Sequence, residues 1–244
     1  MSSLTKMLSV LELFSREHTA LTADQIGEAL GLARTTCYRY LGELSRAGLL
    51  VSNAGVFGLG PRIIQLDHRI RESDPLLNAA RDIVAELVDR TGGTVLLAAI
   101  YDDKIINVHQ EGRHMLSYGR GKALPTFLSA SSKVILANLR TPRLKRIWKA
   151  HHGGRKQSAL AREWSAFADQ MREIRKNRYW VSRGELDPGL DGIAAPILYA
   201  DGAVAGSVTL VFPDDQFRLY DEPALGATIV DAAIGIGASL ARPS

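Results

Sequence analysis

Apolar positions in the first sixty residues recur at helical spacing in three short runs and then change to strand-like runs around a turn. Leu4, Met7, Leu8, Leu11 and Phe14 form one stripe over residues 4–15. Thr22-Ala23-Asp24-Gln25 has the spacing of a capping box, in which a hydroxyl caps the helix start and Gln25 reaches back. Ile26, Ala29 and Leu30 follow at helical spacing, and Gly31 marks the stop. A third helix is predicted from about Ala33 to Ala47, with Gly48 as its breaker. Leu49-Leu50-Val51 and Val56-Phe57-Gly58-Leu59 then flank the turn Ser52-Asn53-Ala54-Gly55, which reads as a β-hairpin. The opening segment is thus three short helices and a hairpin.

Gly60-Pro61 punctuates the chain, and proline suits a first helical turn. Ile63, Leu66 and Ile70 give one apolar stripe on a helix ending near Glu72, read as an inter-domain linker. Asp74-Pro75 starts a helix ending at Thr91-Gly92-Gly93. Beyond it, residues 94–100, 105–110, 180–181, 193–198 and 204–212 read as strands. Residues 129–139 and 160–177 read as helices, and Asp201-Gly202 is a strong hairpin signal. Asp221, Glu222 and Pro223 open a last helix carrying Leu225, Ile229, Ala232, Ile236 and Leu240. The expected fold class is α/β in two domains. An N-terminal helix-turn-helix with a hairpin wing precedes the linker helix. A C-terminal α+β domain with a mainly antiparallel sheet follows.

Composition narrows this picture. A chain of 244 residues favours two unequal domains over one. Hydrophobic residues at 46% and charged residues at 23% exclude a disordered or fibrous chain. The single cysteine, Cys37, excludes an intramolecular disulfide and a multi-cysteine zinc site, and fits a reducing cytoplasm. No secretory signal and no membrane span are expected. The net charge of +4 is not concentrated at the N-terminus: residues 1–72 carry 8 basic and 7 acidic side chains, and residues 73–244 carry 22 and 19. The asymmetry lies between Glu111 and Glu163, an interval with 12 Lys or Arg and no carboxylate. It reads either as a solvated helix and loop or as a basic surface for an anionic partner.

On a helical wheel centred on Cys37, Leu41 and Leu44 share its side, with Tyr40 nearby. Thr35, Tyr38, Arg39, Gly42 and Arg46 fall opposite. Thr, Tyr and Arg on one face suit a major groove, where Arg grips guanine edges or phosphate. The short connection Ala29–Ala33 with Gly31 is what a helix-turn-helix needs. Cys37 reads as a small core residue.

Nearly the whole chain resembles the IclR family of bacterial transcriptional regulators. Leu32-Ala33-Arg34-Thr35-Thr36-Cys37-Tyr38-Arg39-Tyr40-Leu41 is similar to its recognition helix, and Gly55 through Pro61 to its wing exit. Ala123-Leu124-Pro125-Thr126 through Ser131-Ser132-Lys133-Val134-Ile135-Leu136-Ala137 resembles a further block, with Ser132 where the family usually has Gly. The most specific match is Gly184-Glu185 and Gly192-Ile193-Ala194-Ala195-Pro196-Ile197, followed by Asp201-Gly202, Ser207-Val208-Thr209 and Arg218.

The resemblance implies a winged helix-turn-helix DNA-binding domain at 1–60, a linker helix at 61–72, and a GAF-like effector-binding and oligomerisation domain at 73–244. It implies homodimers or homotetramers on pseudo-palindromic double-stranded operator DNA, a small organic acid effector, a cytoplasmic location, and no cofactor, metal or membrane. The expected DNA contacts are Lys6, Thr22, Arg34, Thr35, Thr36, Tyr38, Arg39 and Asn53. The expected effector positions are Gly121, Leu124, Ser182, Gly192, Thr209 and Val211. Only Ser182 and Thr209 of the motif-matched set are polar, which disfavours a very small effector such as glyoxylate. It favours a larger, partly apolar acid of aromatic type, with room at Gly192 and an apolar wall from Val211 and Leu124.

Other constellations carry less. His109-Gln110-Glu111 with His114 has neither a His-Glu-x-x-His spacing nor a facial triad, and these side chains are not expected to converge. His151-His152 reads as part of a basic loop. Ser129, Ser131 and Ser132 precede Lys133 with no base in view, as a helix cap would. No catalytic residue is expected. The alternative to a DNA-binding regulator is a small-molecule sensor acting through protein partners alone.

Overall fold

The computed structural model describes residues 2–114, 116–151 and 163–240. The chain divides into two compact units, Met1–Asp74 and Pro75–Ser244.

The first unit runs α1 (Ser3–Leu8), a 3₁₀ turn (Leu11–Leu13), β1 (Leu21–Thr22), α2 (Ala23–Leu30), α3 (Arg34–Arg46), β2 (Leu50–Asn53), β3 (Val56–Leu59) and α4 (Pro61–Ser73). The capping box forms: the Gln25 amide N–H donates to Thr22 Oγ1, and Thr22 N–H donates to Gln25 Oε1 at 2.8 Å. Gly31 ends α2 at φ +60, a left-handed conformation that glycine adopts without cost. Val10, Ile26, Cys37, Leu41, Leu44 and Leu50 form the core of this unit. The stripe over residues 4–15 is not one helix. Ser9 closes α1, its hydroxyl donating back to the Lys6 carbonyl, and Phe14 is already extended. The hairpin turns at Ala54-Gly55, both at positive φ, and gains a third strand, giving the order β1-β3-β2. A two-residue strand that is half helix cap carries no periodic signal, so β1 is silent in the sequence.

The second unit runs α5 (Pro75–Thr91), β4 (Thr94–Tyr101), β5 (Lys104–Glu111), α6 (Ala130–Ala137), α7 (Thr141–His151), α8 (Trp164–Asn177), β6 (Trp180–Arg183), β7 (Leu190–Leu198), β8 (Val204–Pro213), α9 (Asp214–Phe217) and α10 (Glu222–Ala238). The start expected for α8 at 160 lies outside the described residues. Its sheet is antiparallel throughout, in the order β5-β4-β8-β7-β6.

Both faces of this sheet are covered, and strand alternation assigns the faces. Val95, Leu97, Ile193, Val208, Leu210 and Phe212 pack with α5 and α10. Ala98 and Ala194 look the other way, among residues of α6, α7 and α8. On that second face β8 offers buried Ser207 and Thr209 in place of aliphatic residues. α10 is buried through Ala233 rather than the expected Ala232, which is partly buried. The helix of the basic stretch, α7, is not fully solvated: it buries Leu144 and Ile147.

Candidate functional site

Helix α3 presents two chemically distinct faces. Cys37, Tyr40, Leu41 and Leu44 are buried, whereas Arg34, Thr35, Tyr38, Arg39, Gly42 and Arg46 are exposed. The Cys37 thiol donates to the Ala23 carbonyl at 3.3 Å, which ties α3 to α2. Burial, and secondarily Asp24, pushes its pKa up. Tyr40 reaches Ser3 with a hydroxyl contact of 3.0 Å. The Arg34 guanidinium lies 5.8 Å over the Tyr38 ring, and that of Arg39 lies 5.5 Å over Tyr40. Neither arginine has a carboxylate partner among the described residues, whereas Arg46 is held by Glu43 at 2.7 Å.

The other expected contacts are dispersed over this unit. Lys6 is exposed in the last turn of α1, Thr36 is half-buried in the first turn of α3, and Asn53 is exposed beside the hairpin turn. Thr22 already serves as the cap of α2. The face therefore offers two ring-stacked guanidiniums without carboxylate partners, a phenol and small hydroxyls.

In the second unit, Leu124, Ser182, Gly192, Thr209 and Val211 all line one pocket with about 50 Å³ of accessible space. Strand register explains the convergence. Ser182 pairs with Gly192 and Gly192 with Val211, so the three form a row across β6, β7 and β8. Two residues along, Ala194 pairs with Thr209 and Thr209 with Leu96. A Cβ on Gly192 would meet the Leu210 carbonyl at 3.7 Å and the Thr209 and Val211 methyls at 3.8 Å, so glycine leaves room there for a methyl group. Gly121 is not part of the lining. It sits at φ +83 in the turn after Gly119, with its N–H donating to the Asn107 carbonyl.

Several lining residues were not anticipated. Ser129 caps α6, accepting from the Ser132 N–H at 2.9 Å, while Ser131 and Thr209 share a 2.7 Å hydroxyl–hydroxyl bond. Ser132 is fully buried, and its hydroxyl accepts from Ser129 at 2.7 Å. Two loops also contribute to the lining: Leu116 and Tyr118 from one, Leu186 and Asp187 from the other. Asp187 accepts from the Ser117 N–H at 3.1 Å and so joins them. Lys133 is 3% exposed, ion-paired to Glu185 at 2.6 Å, with its Nζ 5.3 Å over Trp180. A lysine inside the apolar run of α6 was the available signal that a partner had to exist.

The remaining clusters resolve differently from expectation. His109 and Glu111 do meet, at 3.2 Å, because residues two apart on a strand share a face. His151 ends α7 rather than lying in a loop, with its ring 5.7 Å from Phe127, while His152 lies outside the described residues. Arg143 and Arg146 of the basic stretch are paired with Asp103, whose carboxyl the Arg146 hydrogen bond holds below its ordinary range. That part of the stretch is not free positive surface.

Two family matches cover most of the chain. Residues 3–54 match the IclR helix-turn-helix domain, and residues 68–238 match the bacterial transcriptional regulator IclR C-terminal domain. The chain belongs to the IclR family. It is therefore a DNA-binding transcriptional regulator, and its relatives are named as regulators rather than enzymes. The Pca regulon regulatory protein of Pseudomonas putida is 25% identical over 215 residues, spanning 86% of this chain and 74% of that one. The p-hydroxybenzoate hydroxylase transcriptional activator of Acinetobacter baylyi is 26% identical over 211 residues, spanning 82% and 77%. An IclR homolog from Microbacterium hydrocarbonoxydans, solved in complex with 4-hydroxybenzoate, matches the fold with a TM-score of 0.80 at 22% identity, covering 98% of each chain. No helix among the described residues is long and apolar enough to cross a membrane.

Proposed function

We propose that this regulator represses a catabolic operon from a pseudo-palindromic operator and releases it when a small organic acid of aromatic class fills the pocket. The observation that carries the effector half is the convergence of the four motif-matched positions, Ser182, Gly192, Thr209 and Val211, with Leu124 on one lining. Apolar Leu96, Leu124, Leu190 and Val211 in that lining favour a partly apolar ligand over glyoxylate. Relatives named for the Pca regulon and for p-hydroxybenzoate hydroxylase, and the neighbour bound to 4-hydroxybenzoate, support the aromatic class.

The DNA half assigns residues 1–60 to reading the operator, 61–72 to the linker and 73–244 to sensing and assembly. Arg34, Thr35, Tyr38 and Arg39 address the major groove, with Thr36, Lys6, Thr22 and Asn53 at phosphates or the wing. On α4, Leu66 and Ile70 are 38% and 53% exposed and Ile63 beside them is half-buried, an apolar stripe that a second copy of the chain would cover in a homodimer or homotetramer. Effector binding shifts the balance between two arrangements of the sensors, and α4 transmits it to half-site spacing. The operator places the regulator in the cytoplasm.

Mobility shift on the DNA upstream of its own gene is the test. The expected result is a specific complex with steep salt dependence that benzoate-type acids dissolve. Absence of a specific complex, or calorimetry showing tight glyoxylate binding and no aromatic acid binding, overturns the reading.

A further inference from the structure

The pocket has chemically opposite ends. At one, α6 presents its N-terminus: Ser129 is the cap, and Ser131 in the first turn is bonded to Thr209. The first-turn amides and the helix dipole favour an anion there. At the other end stands Asp187, the lone carboxylate of a described lining that holds no Lys, Arg or His. One Asp187 oxygen accepts from Ser117, and the other has no partner among the described residues. Between the ends Ser182 is 7% exposed, and its hydroxyl has no hydrogen-bond partner among the described residues.

Register measures the separation. The α6 end lies at the Thr209–Ala194 pair, and Asp187 lies beside Leu190, whose N–H donates to the Asp187 carbonyl. Four residues of β7 separate Leu190 from Ala194, about 13 Å at about 3.3 Å per residue. The two ends therefore stand apart along the sheet, as the polar groups at opposite ends of a benzene ring do.

We propose that Asp187 is the specificity-determining residue of the effector pocket: it accepts a hydrogen bond from a neutral donor, such as a phenolic hydroxyl, placed opposite the effector's carboxylate. An ionised carboxylate is acceptor-only, so it rewards a donor, gains nothing from a bare ring edge, and repels a second anion. Because Asp187 also ties the loop of Leu116 and Tyr118 to that of Leu186, a donor arriving there engages the junction of both loops. This inference rests on the pocket being the effector site.

Calorimetry on the full-length protein with 4-hydroxybenzoate, benzoate and terephthalate tests it. The wild type is expected to bind 4-hydroxybenzoate about ten- to hundredfold tighter than benzoate and to reject terephthalate. Asp187→Ala is expected to bring 4-hydroxybenzoate down to the level of benzoate, with benzoate unchanged. Asp187→Asn keeps an acceptor for Ser117 and turns a donor toward the pocket. It is expected to admit terephthalate, which keeps the test decisive if the alanine variant disturbs the loops. Equal wild-type affinity for benzoate and 4-hydroxybenzoate overturns the role of Asp187 alone. So does continued rejection of terephthalate by Asp187→Asn. Failure of every aromatic acid to bind overturns the effector reading beneath it.

Discussion

Lys133 Nζ and Glu185 Oε2 lie 2.6 Å apart across 52 residues of sequence, joining the middle of α6 to the loop that carries Leu186 and Asp187 into the pocket lining. The lysine side chain is 3% exposed and the glutamate 33%, so removing the carboxylate strands a buried ammonium. Glu185→Gln is expected to cost about 1.5–3 kcal/mol, the range for a hydrogen bond to a charged group, discounted for the partly wet glutamate. Urea unfolding reads this as a lower midpoint at unchanged slope. An unaltered midpoint would show the pair to be incidental.

Arg39 and Arg46 share the exposed face of α3, yet their surroundings predict different roles. Arg46 is tied to Glu43 at 2.7 Å, whereas Arg39 has no carboxylate partner among the described residues. Arg39→Ala should cost about 1–3 kcal/mol of operator affinity and, if the contact is to phosphate, lower the salt slope by about one. Arg46→Ala should lie within about 0.5 kcal/mol of the wild type. Titrations by fluorescence anisotropy at several salt concentrations separate the two. Equal losses would contradict the face assigned here.

The parts legible in the sequence are those whose signals are local. The Thr22–Gln25 box, the Cys37–Leu41–Leu44 face and the turn at Ala54-Gly55 each lie within a few residues, and all three form. The pairing of Ser182, Gly192 and Val211 was reachable only through family motifs, because the row draws on three strands. Asp187 and Ser131 were missed for a related reason. Nothing near Asp187 in sequence announces Ser117, 70 residues away, and nothing near Ser131 announces Thr209, 78 residues away. At the break after α1 the Ser9 hydroxyl donates to the Lys6 carbonyl, a local bond that the apolar stripe does not announce. Charge counting could not show that Lys133 of the basic stretch pairs with Glu185 and that Arg143 and Arg146 share Asp103.

Gly192 offers a way to close the pocket without harming the fold. A Cβ there would sit 3.7 Å from the Leu210 carbonyl and 3.8 Å from Thr209 and Val211 methyls, ordinary contact distances. Gly192→Ala should fold normally and weaken effector binding by up to about a hundredfold through crowding. Gly192→Leu should abolish the response to effector while keeping operator binding. Mobility shift with and without benzoate-type acids checks both. Full induction in Gly192→Leu would place the effector elsewhere.

Cys37 makes stability depend on alkaline pH. Burial, reinforced by Asp24, raises the folded thiol above its ordinary pKa of 9.0. The unfolded chain therefore releases this proton first as the solution becomes alkaline. Above that point the folded state binds more protons than the unfolded one, and stability falls with rising pH. The contribution is whole below pH 9.0 and is lost as pH climbs through the folded value. Cys37→Ala removes the titration, so the wild type should lose more stability than the variant between about pH 8 and about pH 10. Every other group is common to both proteins and cancels in the comparison. Urea midpoints at the two pH values measure the difference, and parallel losses would mean that the thiol ionises as freely in the folded chain as in the unfolded one.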